Sequence, residues 1–209
     1  MKPRLLSFDL DGTLAYFNQS QYGSLADFFA RHGVPSETFK LAYEKTRLGG
    51  GFSPERFLTV LADQYAIKLE TKKVLDEVYT RLKQTLTLFP DASSVMGPSN
   101  HTRPTAIVSF GDAQFQNYKI KLLNLAPDRI YIVNAFLSKA KPLREIITAY
   151  GAPVIHVDDS APELDAIRRA GLSEEEVITY HLVRGNTPWP DEKPDFPHRR
   201  ISSLTEVLA

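Results

Sequence analysis

The sequence predicts an α/β fold: a Rossmann-like, three-layer core on a parallel sheet, with an all-helical cap inserted after the first strand. Three observations predict it. Short apolar runs without period-two alternation recur along the chain, as strands covered on both faces require. Between the later runs lie amphipathic helical segments, so strand and helix alternate as in parallel βαβ units. Residues 18–89 break that rhythm and carry helical periodicity alone.

The elements follow in order. The first run, residues 5–10, contains Ser7 and Asp9 and stops at the turn Asp11-Gly12-Thr13. In the insert, Tyr22, Leu25, Phe28 and Phe29 form one stripe, and Phe39, Ala42, Tyr43 and Thr46 a weaker one. Gly49-Gly50-Gly51 is a flexible joint. Ser53-Pro54-Glu55 opens a helix with a capping hydroxyl and a proline in its first turn, continuing through Phe57, Leu58, Leu61 and Tyr65. Thr71 opens another, with Val74, Leu75, Val78, Leu82 and Leu86 on one side. Strands are then expected at 105–110, 129–133, 153–157 and 177–180, with helices at 115–125, 143–150 and 162–170. The last two helices stop at Gly151 and Gly171. Residues 185–198 read as an ordered surface loop around Trp189, and 201–208 as a short strand and helix. The expected division is a core of 1–17 with 90–209 and a cap of 18–89, hinged near 17–21 and 88–91.

Composition narrows the partners. The 209 residues carry 25 basic and 25 acidic side chains, a formal net charge of zero, which argues against a broad basic face for nucleic acid. Without cysteine there is no disulfide, thiolate zinc site or cysteine nucleophile. Met1-Lys2-Pro3-Arg4 runs straight into a strand that holds an aspartate, unlike a signal peptide. No run approaches the ~20 apolar residues of a membrane span. The expectation is a cytoplasmic protein with neither membrane nor nucleic acid as partner. His156 lies in an expected buried strand and reads as core, and His32, His101, His181 and His198 lack metal-ligand spacing.

In a parallel α/β sheet the ligand sits beyond the C-terminal strand ends. Standing there are Asp9 and Asp11 after the first strand, Ser109 on the second, Lys139 and Lys141 after the third, and Asp158 and Asp159 after the fourth. Clustered carboxylates repel one another unless a cation lies among them, and oxygen-only ligands around a small pocket favour Mg²⁺. A lysine opposite such a cation clamps a phosphoryl group, one carboxylate is then a nucleophile, and a second carries the proton. Asp158-Asp159 also reads as an N-cap pair before Pro162.

Phe8-Asp9-Leu10-Asp11-Gly12-Thr13-Leu14 resembles the first signature of the haloacid dehalogenase-like superfamily. Ile107-Val108-Ser109 resembles its second signature, Lys141-Pro142 its third, and His156-Val157-Asp158-Asp159-Ser160-Ala161-Pro162-Glu163 its fourth. The helical insert sits where that superfamily places a C1-type cap. The resemblance implies Asp9 as nucleophile, Asp11 as general acid/base whose main-chain carbonyl also binds Mg²⁺, and Gly12 and Thr13 beside the substrate. It implies Ser109 as the phosphate's hydrogen-bond donor and a lysine as its clamp. Lys141 is favoured over Lys139, because the proline after it fits the pattern. Asp9, Asp11, Asp158 and Asp159 form the implied metal set, and Glu163 stands behind it where relatives carry aspartate. Arg47, just before the triple glycine, is the cap residue expected at the substrate.

The implied activity is a Mg²⁺-dependent phosphatase acting on a small phosphorylated metabolite through an aspartyl-phosphate. Asp11 favours this over a dehalogenase, which carries another residue type there. The alternatives are a phosphomutase of the β-phosphoglucomutase kind, a phosphonatase using Lys40 or Lys45 for a Schiff base, and a non-catalytic partner-binding protein. A signalling receiver domain shares the aspartates and lysine but has no such cap. Oligomeric state is left open by the sequence.

Overall fold

A computed structural model describes residues 4–18, 21–96, 103–184 and 193–208. Trp189, His101 and the side chain of Tyr22 lie outside the described part. The core is a six-stranded sheet in the order β5-β4-β1-β6-β7-β8. Its strands are β1 (Leu5–Phe8), β4 (Thr105–Phe110), β5 (Arg129–Val133), β6 (Val154–Asp158), β7 (Val177–Leu182) and β8 (Arg199–Ile201). Every pairing between them is parallel. Helices α6 (Ala113–Leu122), α7 (Ala140–Tyr150) and α8 (Ala161–Arg169) connect β4, β5, β6 and β7 in turn.

Successive strand residues point to opposite faces, and in β1, β4 and β6 both faces are covered, while the edge strand β5 is partly exposed. Leu6, Phe8, Ile107, Ile155 and Val157 join one apolar cluster. Leu5, Ala106, Val108, Val154 and Val177 join another. That double burial is why the strands lack alternation in sequence. Each fully buried Leu, Ile or Phe contributes roughly 1.5–3 kcal/mol to this sandwich.

The insert contains α1 (Gln21–Arg31), α2 (Ser36–Leu48), α3 (Pro54–Tyr65) and α4 (Thr71–Thr85). They close on their own core of Phe28, Phe29, Phe39, Phe57, Leu61 and Val74. Ser53 Oγ accepts the main-chain N–H of Arg56 at 3.3 Å and caps α3 as its sequence predicts.

The sequence expectation of no strand in the insert needs correction. β2 (Ala15–Phe17) and β3 (Leu86–Leu88) pair antiparallel, so Leu86 lies on a strand and not on α4. Three-residue strands are too short to register a period. This ribbon ties together the two chain segments that enter and leave the insert. A short helix, α5 (Ala92–Met96), was also missed. At the far edge the Asp165 carboxylate accepts the N–H groups of Asp195 and Phe196 at 2.9 and 3.0 Å and meets His198 Nε2 at 3.0 Å, fixing the returning chain onto α8.

Candidate active site

Phe8 stands level with Ile107 on one side and Val157 on the other. The following residues of β1 and β6, Asp9 and Asp158, therefore leave the sheet together, and Ser109 stands beside them near the end of β4. These ends open into a cavity of about 230 Å³. Asp9, Asp11, Ser109, Lys139, Asp158, Asp159 and Glu163 line it from the core, and Arg47 and Leu48 from α2 of the cap. Phe110 and Phe136 add an aromatic wall, their rings packed edge to face with centroids 5.7 Å apart.

Lys139 is buried between two of the carboxylates. Its ammonium lies 2.8 Å from Asp9 Oδ1 and 2.6 Å from Asp158 Oδ2. The expectation that favoured Lys141 is therefore corrected. Lys141 is exposed on α7. Two residues apart at a helix start lie on nearly opposite faces, at about 100° per residue, so one of this pair can face the cavity. Lys139 is the N-cap of α7 and takes the inward position.

The remaining residues fall as follows. Asp158 is fully engaged: Oδ1 accepts the Ser160 N–H at 3.0 Å, and Oδ2 meets Lys139 and lies 3.4 Å from His156 Nε2. His156 Nδ1 meets Ser7 Oγ at 2.9 Å, so this histidine backs the site instead of simply filling the core. Asp159 Oδ2 is buried with no hydrogen-bond partner among the described residues. Gly12 and Thr13 do not line the cavity; they support Asp159 from below. Gly12 has φ of 85°, and a Cβ there would fall 2.2 Å from Asp159 Oδ2, while Thr13 Oγ1 lies 3.4 Å from Asp159 Oδ1. Glu163 accepts the Leu137 N–H at 3.2 Å, and its other oxygen has no hydrogen-bond partner among the described residues. Arg47 pairs with Glu44 at 3.4 Å, and its Nε is buried without a hydrogen-bond partner among the described residues. Lys40 and Lys45 are exposed and do not line the cavity.

The electrostatics are those of crowded anions. Burial, with Asp158 and Asp11 adding and Lys139 opposing, pushes the Asp9 carboxyl up to about 6. Burial works against the Asp158 charge as well, but Lys139 and His156 outweigh it and hold this carboxyl well below its usual range. Asp159, buried and facing Asp158 and Asp9, is pushed well above its usual value. Burial lifts Glu163 to about 7. Lys139 is desolvated too, yet Asp158, Asp9 and Glu163 hold it firmly charged.

The donor set suits a hard cation. Oxygens of Asp9, Asp158 and Asp159 all lie within 4.8 Å of one another. Asp158 is taken up by Lys139 and Ser160, whereas Asp159 Oδ2 lacks a hydrogen-bond partner among the described residues. A small oxygen-seeking ion such as Mg²⁺ fits that deficit.

Two polar residues that sequence reasoning passed over also meet here. Gln116 and Lys119 are buried on α6 and both contact Asp11. Their signal was present: they stand on the inward stripe of α6, between Phe115 and Ile120, where apolar residues are expected.

No family model matches the sequence, and no curated protein does. Solved structures do match in fold. A protein assigned to the haloacid dehalogenase-like hydrolases, from Burkholderia xenovorans LB400, is 18% identical with a TM-score of 0.68, covering 99% of this chain and 98% of that one. The L-2-haloacid dehalogenase of Xanthobacter autotrophicus is 14% identical with a TM-score of 0.62, covering 99% and 97%. A predicted phosphoglycolate phosphatase from Haemophilus somnus 129PT is 15% identical with a TM-score of 0.60, covering 100% and 97%. The chain thus has the fold of the haloacid dehalogenase-like hydrolases, core and cap together.

Proposed function

We propose that this protein is a hydrolase of the haloacid dehalogenase-like kind, and within it a Mg²⁺-dependent phosphatase for a small phosphate monoester. The observation that carries the reading is the convergence of Asp9 and Asp11, Ser109, and Lys139 on one cavity, from the ends of three different strands, β1, β4 and β5. Asp9 attacks phosphorus and forms an aspartyl-phosphate while Asp11 protonates the departing alkoxide. Asp11 then takes a proton from water, and that water hydrolyses the acyl-phosphate. Ser109 donates to a phosphoryl oxygen, and Lys139 neutralises charge beside the nucleophile. Asp9 and Asp159, with the main-chain carbonyl of Asp11, would hold the ion; Asp158 positions Lys139 behind them. The ion would supply charge neutralisation at the transferring phosphoryl group.

A proton carrier two residues from the nucleophile favours phosphate over halide, because a departing halide needs no proton. The exposed Lys40 and Lys45 offer no Schiff-base amine at the cavity, which speaks against a phosphonatase. The test is phosphate release from p-nitrophenyl phosphate and a panel of metabolite esters, with Mg²⁺, with EDTA, and in Asp9→Asn. Release that requires both Mg²⁺ and Asp9 supports the reading. Chloride release from a 2-haloacid with no phosphate release overturns it, and a lasting phosphoenzyme that needs a bisphosphate points to the mutase.

A further inference from the structure

Asp11 lines the cavity with the other acids of the site, but its carboxylate is held from a different side. Its carboxylate turns toward α6, where Oδ2 accepts a hydrogen bond from Gln116 Nε2 at 3.0 Å and pairs with the Lys119 ammonium. Lys119 and Gln116 are each only 3% exposed. Burying a lysine and an amide on the apolar face of a helix is costly unless they are engaged, and their common partner is Asp11. The same Gln116 Nε2 donates to the Phe110 carbonyl at 2.8 Å and lies 3.4 Å from Ser109 Oγ. One side chain therefore bridges the loop end of β4, the phosphate-binding hydroxyl and the proton carrier. Gly111 makes room for it, since a Cβ there would fall 2.7 Å from Gln116 Nε2.

Resting on the phosphatase reading above, we propose that Gln116 and Lys119 are positioning residues that hold the Asp11 carboxyl at the point from which it delivers its proton. They touch neither phosphorus nor nucleophile; Lys119 acts through Asp11, and Gln116 through Asp11 with Ser109 beside it. Four observations support this: both residues are buried, both converge on one oxygen, the second oxygen of Asp11 has no hydrogen-bond partner among the described residues, and Gln116 ties the arrangement to Ser109. A misplaced proton carrier hurts most where the leaving group is most basic, because a poor leaving group depends most on protonation.

The experiment compares kcat for a series of aryl and alkyl phosphates of increasing leaving-group basicity in wild type, Lys119→Met, Lys119→Arg and Gln116→Leu. Ratios between substrates on one preparation are independent of how much of it is folded. The expected result is that Lys119→Met and Gln116→Leu lose at least tenfold more on the most basic leaving group than on the least basic, with KM little changed. Lys119→Arg should recover most of that difference. An equal loss on all substrates, or none, in both variants overturns the positioning role while wild-type turnover keeps the phosphatase reading intact. A wild type that hydrolyses no member of the series overturns both.

Discussion

Lys139 sets the electrostatics of the site. Its ammonium is shared by Asp9 and Asp158 in a dry setting, so removing it leaves two buried charges facing each other. Lys139→Met is expected to cost about 3–5 kcal/mol of stability and to abolish turnover. Lys141→Ala, on the exposed face of α7, should change stability by no more than about 0.5 kcal/mol and leave turnover near wild type. Denaturant melts and phosphate release on both variants check the contrast. Asp9 gives a pH signature. Its carboxyl titrates near 6 in the fold against 3.8 ordinarily, so between these values the folded state holds more protons than the unfolded one. Stability tied to Asp9 therefore falls as pH rises through that window. Asp9→Asn removes the penalty, and in EDTA its stability relative to wild type should rise by more than about 1 kcal/mol between pH 4 and pH 7. A difference that stays flat, measured by calorimetry, contradicts the crowding described here.

The turn after β1 shows how one element's backbone sets the site. Gly12 holds a left-handed φ and lies so close to Asp159 that a methyl group would overlap its carboxylate. Gly12→Ala should therefore displace Asp159 and weaken Mg²⁺ binding at least tenfold, read by titration calorimetry. Gly33→Ala shares a φ of 80° but faces open space, so it should cost only about 1 kcal/mol and leave metal binding unchanged. Much of this was legible beforehand. The strands at 105–110 and 129–133 were found at their observed bounds, because each was a short apolar run closed by turn residues. The acids at the strand ends were legible for the same reason, since a parallel sheet brings those ends together. What could not be read was direction within an element. Lys139 and Lys141 are equivalent in a linear pattern, and only the first turn of α7 decides which faces inward. Gln116 and Lys119 were passed over because polar residues on a helix are ordinarily assigned to solvent. Their ion-pair partner, Asp11, is more than 100 residues away in sequence.

At the scale of the molecule, the cap's own apolar cluster meets that of the core along a seam to which α4 lends Leu82 and Tyr79. Phe52 packs against both clusters, its ring 5.0 Å from Tyr43 in the cap and 6.0 Å from Phe115 in the core. Beside it Gly51 presses on Gly111, where an added Cβ would lie 2.3 Å from the Gly111 Cα. The seam places Arg47 and Leu48 at the cavity; on the proposed reading, closure there would shut out bulk water while leaving the one water that Asp11 activates. Phe52→Ala is expected to split thermal unfolding into two transitions, cap before core, and to raise KM more than it lowers kcat. A single transition with unchanged KM is the contrary outcome in scanning calorimetry.

On the proposed mechanism Asp9 becomes covalently phosphorylated in every turnover. The most direct measurement is a single-turnover reaction with a phosphate ester and Mg²⁺, quenched in acid, reduced with borohydride and mapped by peptide mass. An acyl-phosphate is reduced under these conditions to an alcohol, and an ordinary carboxylate is not. Reduction is expected at Asp9 alone, appearing before phosphate release is complete and absent when the ester or Mg²⁺ is omitted. Full phosphate release with Asp9 unreduced throughout the time course, or with another carboxylate reduced in its place, would contradict it.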